Sequence, residues 1–252
     1  MPDKCYMCDQ TATTTEHVPP KCLFPTMKDS SQDLRVNLFT VPSCDNHNGK
    51  KSKDDEFLMV SIAGILGNNS IGFQHYHGKI QRALKRNSFR LLEKVFTDKK
   101  IYRFNKDNLF IDVIWGTPDY NRLMGCFDNI ALGVYRHHFG ENFKGKVKSL
   151  LGFLHMPEGN PKAFTEWIKY KSVDELKDKE KYGDNPGVFY YQYTSPDQYG
   201  YFLIKLCFYE NLDIYVAYLP QDVERPTMLE MELMNRGIKT YIHDGEKIFE
   251  FN

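Results

Sequence analysis

The sequence has no apolar run near the roughly 18 residues that a membrane-spanning helix needs, so we expect no membrane partner. It also has no excess of either charge, because 33 lysines and arginines balance 33 aspartates and glutamates. That balance excludes a uniformly basic coat for nucleic acid and an acidic disordered tail. Internal repeats and low-complexity tracts are missing as well. Six cysteines in 252 residues are too sparse for a disulfide scaffold.

The composition does support a folded protein. Hydrophobic residues make up 41% of the chain and aromatic residues 14%, which is enough to bury a sizeable core. The first ten residues are polar and resemble neither a secretory signal nor a transit peptide. We therefore expect a cytoplasmic protein.

Apolar patterning predicts an α+β fold in three parts. Residues 1–58 have little apolar periodicity up to position 56 and would need a metal to hold them together. Residues 59–100 form a basic helical segment, with one helix expected from about Gly78 to Phe96. Residues 101–252 form a mixed, mostly antiparallel α+β domain. In it, a helix should run from Pro118 to about Phe139 and end at Gly140.

Two pairs of metal-binding residue types stand in the first part. Cys5 and Cys8 are separated by two residues, and so are Cys44 and His47. Each pair can wrap one tetrahedral ion, so together they predict a closed Cys3His shell around a structural Zn2+. Cys22 is the alternative fourth ligand in place of His47, although its position directly after two prolines and a lysine favours packing.

A second set of residues lies between and just after these pairs. The segment Glu16-His17-Val18-Pro19-Pro20 precedes Asn37-Leu38, and Asn48 follows the second pair directly. In this order the elements resemble the HNH endonuclease family, most closely its variant with EHVPPK and LFP. The resemblance covers about Cys5 to Glu56, roughly the first quarter of the chain.

The resemblance implies a ββα-metal fold that grips one catalytic Mg2+ or Mn2+. By it, His17 is the general base for attack of water on a phosphodiester, and Asn37 orients that base. Glu16 and Asn48 hold the cation. Nucleic acid, above all DNA, is the implied substrate. A neutral imidazole is a usable base at pH 7, and a hard cation takes oxygen ligands.

The sequence departs from the family pattern at two positions. Glu16 stands where the family usually has Asp, and His47 stands where a Cys is common. Glu56 lies eight residues after Asn48, so on one helix the two would share a face. We therefore expect Glu56 near the cation without direct coordination.

Positive charge is concentrated locally. Residues 79–106 contain ten basic and two acidic side chains. Arg82, Arg86 and Arg90 recur every four residues and would line one face of a helix, where they could neutralise phosphates. A second group of candidate phosphate contacts is Lys50, Lys51 and Lys53. An ordinary solvated face is the alternative explanation for both groups.

These observations lead to a metal-dependent HNH-type endonuclease as the expected function. Small proteins of this kind act in bacterial antiphage defence or as toxins, and the resemblance extends that expectation here. One alternative is a non-catalytic zinc module that binds nucleic acid, with Glu16 and Asn48 as structural residues. Another is a protein-interaction module without nucleic acid. The C-terminal domain could supply target recognition, a protein-partner surface or a trigger site.

Overall fold

A computed structural model describes residues 3–86, 90–106, 109–154, 158–221, 227–244 and 247–252. The chain is a mixed α+β protein with antiparallel sheets, as the sequence predicts. The strands are β1 (Thr14–His17), β2 (Thr40–Ser43), β3 (Phe96–Lys106), β4 (Leu109–Pro118), β5 (Gly145–Leu151), β6 (Phe189–Tyr193), β7 (Phe202–Phe208), β8 (Leu212–Pro220), β9 (Thr240–Asp244) and β10 (Lys247–Phe251). The helices are α1 (Asp45–Ala63), α2 (Ser70–His75), α3 (Gln81–Arg86), α4 (Arg90–Val95), α5 (Tyr120–Phe139), α6 (Asn160–Leu176) and α7 (Thr227–Asn235).

The N-terminal part consists of a hairpin followed by a helix. β1 and β2 pair antiparallel, with Glu16 opposite Val41 and His17 opposite Thr40. α1 begins two residues after β2, and the extended residue Cys44 caps its first turn. The carbonyl of Cys44 accepts the backbone N–H groups of His47 and Asn48. The second metal-type pair therefore turns the chain from strand into helix.

A four-stranded antiparallel sheet, in the order β5-β8-β7-β6, forms the centre of the larger part. α5 packs on it, and the hydroxyl of Tyr218 donates to the carbonyl of Ala131 at 2.6 Å. The predicted helix and its end are confirmed, although Pro118, expected to open it, is instead the last residue of β4 and the helix begins at Tyr120. Its first turn is capped by the side chain of Asp119, and it ends at Gly140, whose φ of 76° suits a residue without a Cβ.

One hydrophobic core joins the N-terminal part to this sheet. It is continuous from Cys5 and Val18 through α1 and α5 to β8. A Cβ added to Gly133 of α5 would lie 2.6 Å from a methyl carbon of Val18, so only glycine permits this approach. Residues of the predicted first and third parts thus bury each other's apolar surface.

The predicted basic helix differs from the observed segment. Tyr76–Ile80 is a π-helical turn, α3 follows it, and residues 87–89 lie outside the described chain. The expected helix stops at α4. From Phe96 onward the backbone is the strand β3, which pairs with β4 in a long hairpin. None of the described helices is long and apolar enough to cross a bilayer.

Candidate functional site

The four predicted zinc ligands lie together. Their sulfur and nitrogen atoms are all within 4.8 Å of one another. His47 turns its Nδ1 towards the sulfurs, at 3.4 Å from Cys5, 3.5 Å from Cys8 and 3.3 Å from Cys44. The sulfurs of Cys8 and Cys44 are 3.9 Å apart. A tetrahedral zinc ion requires about 3.8 Å between sulfurs and about 3.6 Å between sulfur and nitrogen. The cluster could therefore hold a structural metal such as zinc.

The electrostatics of Cys5 suit metal binding. Burial raises the pKa of this thiol, but backbone hydrogen bonds at Met7 and Cys44 and side-chain hydrogen bonds with His47 and Cys44 outweigh it. Together they lower the pKa of Cys5 to about 7. A thiolate is the form of cysteine that binds metal. All six cysteines are free thiols, so no disulfide competes for these sulfurs.

Cys22 is not part of the cluster. Its thiol donates to the carbonyl of Asp55 in α1 at 3.3 Å. It packs against the core, as its position after the prolines suggests. No second group of three or more His, Cys, Asp or Glu side chains lies close enough to hold a metal among the described residues.

Glu16, the expected cation ligand, is already paired. Its Oε1 accepts from the ammonium of Lys51, and its Oε2 accepts from the hydroxyl of Tyr6 at 3.3 Å. The same ammonium donates to the Tyr6 oxygen at 2.9 Å. Glu16 and Lys51 are each 6% exposed and Tyr6 is 2% exposed. Lys51 is therefore a buried counter-ion and not the surface phosphate contact expected from the sequence.

Asn48 faces the same strand as Lys51. Its side-chain nitrogen donates to Thr14 Oγ1 at 3.0 Å, and that hydroxyl donates to the carbonyl of Ser43 at 3.1 Å. The helical spacing of Asn48, Lys51 and Asp55 puts them on one side of α1. Oxygen atoms of Glu16 and Asn48 are of the type that Mg2+ prefers. As arranged, however, the two residues do not fit a divalent ion, because Lys51 holds the carboxylate.

Asp55, not Glu56, extends this face of α1. Asp55 is half-buried, whereas Glu56 is exposed. Burial raises the pKa of Asp55 to about 6; the charge of Lys51 opposes this rise, while the charges of Glu16 and Asp54 add to it. Asp55 follows Asn48 by seven residues, a spacing that puts both on one face of a helix. That spacing could have predicted Asp55, whereas the expectation named Glu56, eight residues after Asn48.

His17 ends β1 and is half-buried. Burial lowers its pKa, the nearby charge of Lys21 lowers it further, and Glu16 acts in the opposite direction. The imidazole is therefore neutral at pH 7. Lys21 is exposed in the short 3-10 turn that follows β1. Lys21 was not predicted as a site residue, although it directly follows the two prolines of the motif.

Asn37 is the residue expected to orient His17. It is exposed, with a φ of 55°, in the segment between β1 and β2. Within the part of the chain that the structure describes, no hydrogen bond joins the side chains of Asn37 and His17. The carbonyl of the preceding residue, Val36, accepts from the side chain of Asn185 at 2.9 Å. The orienting role of Asn37 stays a prediction.

The basic side chains expected to contact phosphate differ in exposure and in ion pairing. Arg82 donates to the carboxylate of Asp29 at 2.6 Å, so its charge is partly neutralised. Arg86 and Arg90 are exposed on α3 and α4, and Lys53 is exposed on α1. The side chain of Lys50 lies outside the described residues. A single helical face through all three arginines is untested, since residues 87–89 separate the two helices.

No protein-family model matches this chain, and no match was found among curated proteins or among solved structures. The resemblance to HNH endonucleases therefore depends on the motif residues quoted above and on their geometry.

Proposed function

We propose that this chain is an HNH-type endonuclease, which hydrolyses phosphodiester bonds in nucleic acid, with DNA as the expected substrate. The observation that carries the proposal is the environment of His17. This imidazole ends the first strand of a hairpin that leads through a metal-type cluster into a helix. It is half-buried, its pKa is lowered, and the exposed Lys21 lies within electrostatic range. A general base and a neighbouring positive charge both promote attack of water on a phosphodiester.

Two residues of this chain have separate roles in the proposed reaction. His17 takes a proton from water as the new P–O bond forms and the ester P–O bond breaks. The charge of Lys21 stabilises the phosphate oxygens, which gain negative charge in the transition state. The leaving oxygen lies opposite the attacking water and takes its proton from solvent, and the protonated His17 later returns its proton to solvent. The Mg2+ or Mn2+ that the resemblance implies has no part in these steps, because Lys51 already holds the Glu16 carboxylate.

We further propose that the Cys3His cluster holds zinc with a structural role. Three thiol groups and one imidazole at tetrahedral spacing match the ligand preference of Zn2+. Four protein ligands leave no open position for water or substrate. The ion would therefore fix the turn into α1 without taking part in hydrolysis.

The experiment is nicking of supercoiled plasmid by the purified full-length chain, with EDTA, Mg2+ or Mn2+ in separate reactions. His17→Ala should abolish cleavage in every condition where the wild type cuts. His77→Ala is the matched control, because this exposed histidine lies outside the motif and packs its ring against those of Phe73 and Tyr76. Equal cleavage by wild type and His17→Ala would contradict the proposal.

A second function is favoured by the Glu16–Lys51 pair. A carboxylate that is buried and neutralised is what a structural polar residue requires. In this case the chain would be a non-catalytic zinc module that binds nucleic acid. Salt-dependent DNA binding without cleavage would identify it. A role in antiphage defence or as a toxin follows from the resemblance alone, and a protein partner for the C-terminal domain, which the resemblance does not cover, stays a prediction.

A further inference from the structure

The cation position next to Glu16 is filled by a residue of this chain. Both carboxylate oxygens of Glu16 are engaged, one by the Lys51 ammonium and the other by the Tyr6 hydroxyl. The ammonium also binds Tyr6, so the three side chains form a closed cycle. All three are less than a tenth exposed. Each polar group in the cycle has a partner, which is the condition for burying charge at low cost.

The pieces of this cycle come from three separate segments. Tyr6 lies between the cysteines of the first metal-type pair, Glu16 lies on β1, and Lys51 lies on α1. The cluster fixes Tyr6 and the start of α1, while Asn48 bonds to Thr14 on the same face of β1. Lys51 is thus held by the backbone geometry of the whole N-terminal part, and its ammonium cannot leave Glu16 without breaking two hydrogen bonds in the interior.

We propose that Lys51 takes the place of the divalent cation at Glu16 and excludes Mg2+ or Mn2+ from it. A divalent ion on this carboxylate would lie within a few ångströms of a buried ammonium, where like charges repel strongly because water does not screen them. The proposed function supplies only the expectation that a cation belongs at this position. The exclusion itself depends on the contacts of Lys51.

The test is direct binding of Mn2+, measured as loss of the free Mn2+ signal in electron paramagnetic resonance. It uses the full-length, zinc-loaded chain as wild type, Lys51→Met and the double variant Glu16→Gln/Lys51→Met. Soft thiolate ligands already filled with zinc do not favour Mn2+, so the cluster contributes no signal. Wild type should show no Mn2+ site that depends on Glu16. Lys51→Met should gain one site whose affinity is at least about tenfold above the highest that the wild-type data allow, and the double variant should lose it again.

Two results would overturn the inference. One is a wild-type Mn2+ site as tight as that of Lys51→Met. The other is a folded, zinc-loaded Lys51→Met chain that binds no Mn2+. Should Lys51→Met fail to fold, wild type and Glu16→Gln carry the test: neither should bind Mn2+, and wild-type binding that Glu16→Gln removes would contradict the proposal. Because binding is measured without substrate, a chain that cuts nothing would refute the proposed function and leave this inference standing.

Discussion

The side-chain amide of Asn142 donates to the backbone carbonyl of Cys5 at 2.7 Å, so the loop after α5 is bonded to the first metal-type pair. Arg136 of α5 forms an ion pair with Asp3, two residues before Cys5, at 3.4 Å. Together with the shared hydrophobic core, these contacts couple the metal cluster to the central sheet. Loss of the proposed zinc ion should therefore affect residues well beyond the first 58.

Cys8→Ala tests this coupling. The variant removes one of four ligands, so we expect bound zinc to fall well below one per chain. Because metal binding contributes to folding, the free energy of unfolding should drop by about 4 kcal/mol or more. Hydrogen exchange should rise in β1, β2 and also at the end of α5. Metal analysis and hydrogen–deuterium exchange give the two measurements.

Cys22→Ala is the matched control for the cysteine change, since this thiol lies outside the cluster and bonds to the carbonyl of Asp55. It should keep one zinc per chain. If hydrogen exchange in Cys8→Ala rises only before residue 58, the larger part of the chain folds independently of the cluster.

The Glu16–Lys51 pair makes a separate prediction for stability. Lys51→Ala leaves a carboxylate uncompensated in the interior, which costs about 3–5 kcal/mol. Glu16→Gln/Lys51→Ala removes both charges and should cost clearly less than the sum of the two single changes. Chemical denaturation of the four proteins in this double-mutant cycle gives the coupling energy. Strictly additive losses would mean that the pair contributes no net interaction.

Lys21 should matter for cleavage and Lys28 should not. Both lysines are exposed and lie seven residues apart, but the charge of Lys21 affects the pKa of His17. If Lys21 stabilises the reacting phosphate, Lys21→Ala lowers the cleavage rate by about 10-fold to 100-fold, while Lys28→Ala leaves it near wild type. Single-turnover cleavage of a labelled duplex measures both. Equal rates for the two variants would remove Lys21 from the reaction.

Phosphate binding by the arginines should be unequal. Arg86→Ala and Arg90→Ala should each weaken DNA binding alike for unrelated sequences and reduce the slope against log salt by nearly one unit. Arg82→Ala should change that slope less, because its guanidinium is paired with Asp29. Fluorescence anisotropy at several salt concentrations provides the slopes. Three equal reductions would mean that Asp29 does not hold Arg82 when DNA binds.

The sequence predicts those features whose cause is local. The spacing of Cys5, Cys8, Cys44 and His47 sufficed to place four ligands around one point. The glycine at position 140 sufficed to predict the left-handed end of α5, and the proline at 118 placed its start within two residues. Neither feature depends on distant parts of the chain beyond the closure of the hairpin.

Features that depend on tertiary contacts were missed. A lysine is normally solvated, so nothing in the local sequence indicates that Lys51 is buried against Glu16 and Tyr6. Which of Asp55 and Glu56 faces β1 depends on the rotation of α1 about its axis. An error of one residue in the predicted start of the helix is enough to exchange the two. The π-helical turn at Tyr76–Ile80 likewise shifts the face on which Arg82 lies.

The pH dependence of plasmid cleavage by wild type and His17→Ala tests the central claim most directly. A neutral imidazole is the active form and the pKa of His17 is lowered, so wild-type cleavage should be constant near pH 7 and fall at a pH below the ordinary histidine value. His17→Ala should be slower by about 10²–10⁴ and should lack the acidic fall. His17→Ala that cuts at the wild-type rate with the same pH profile would contradict the assignment of His17 as the general base.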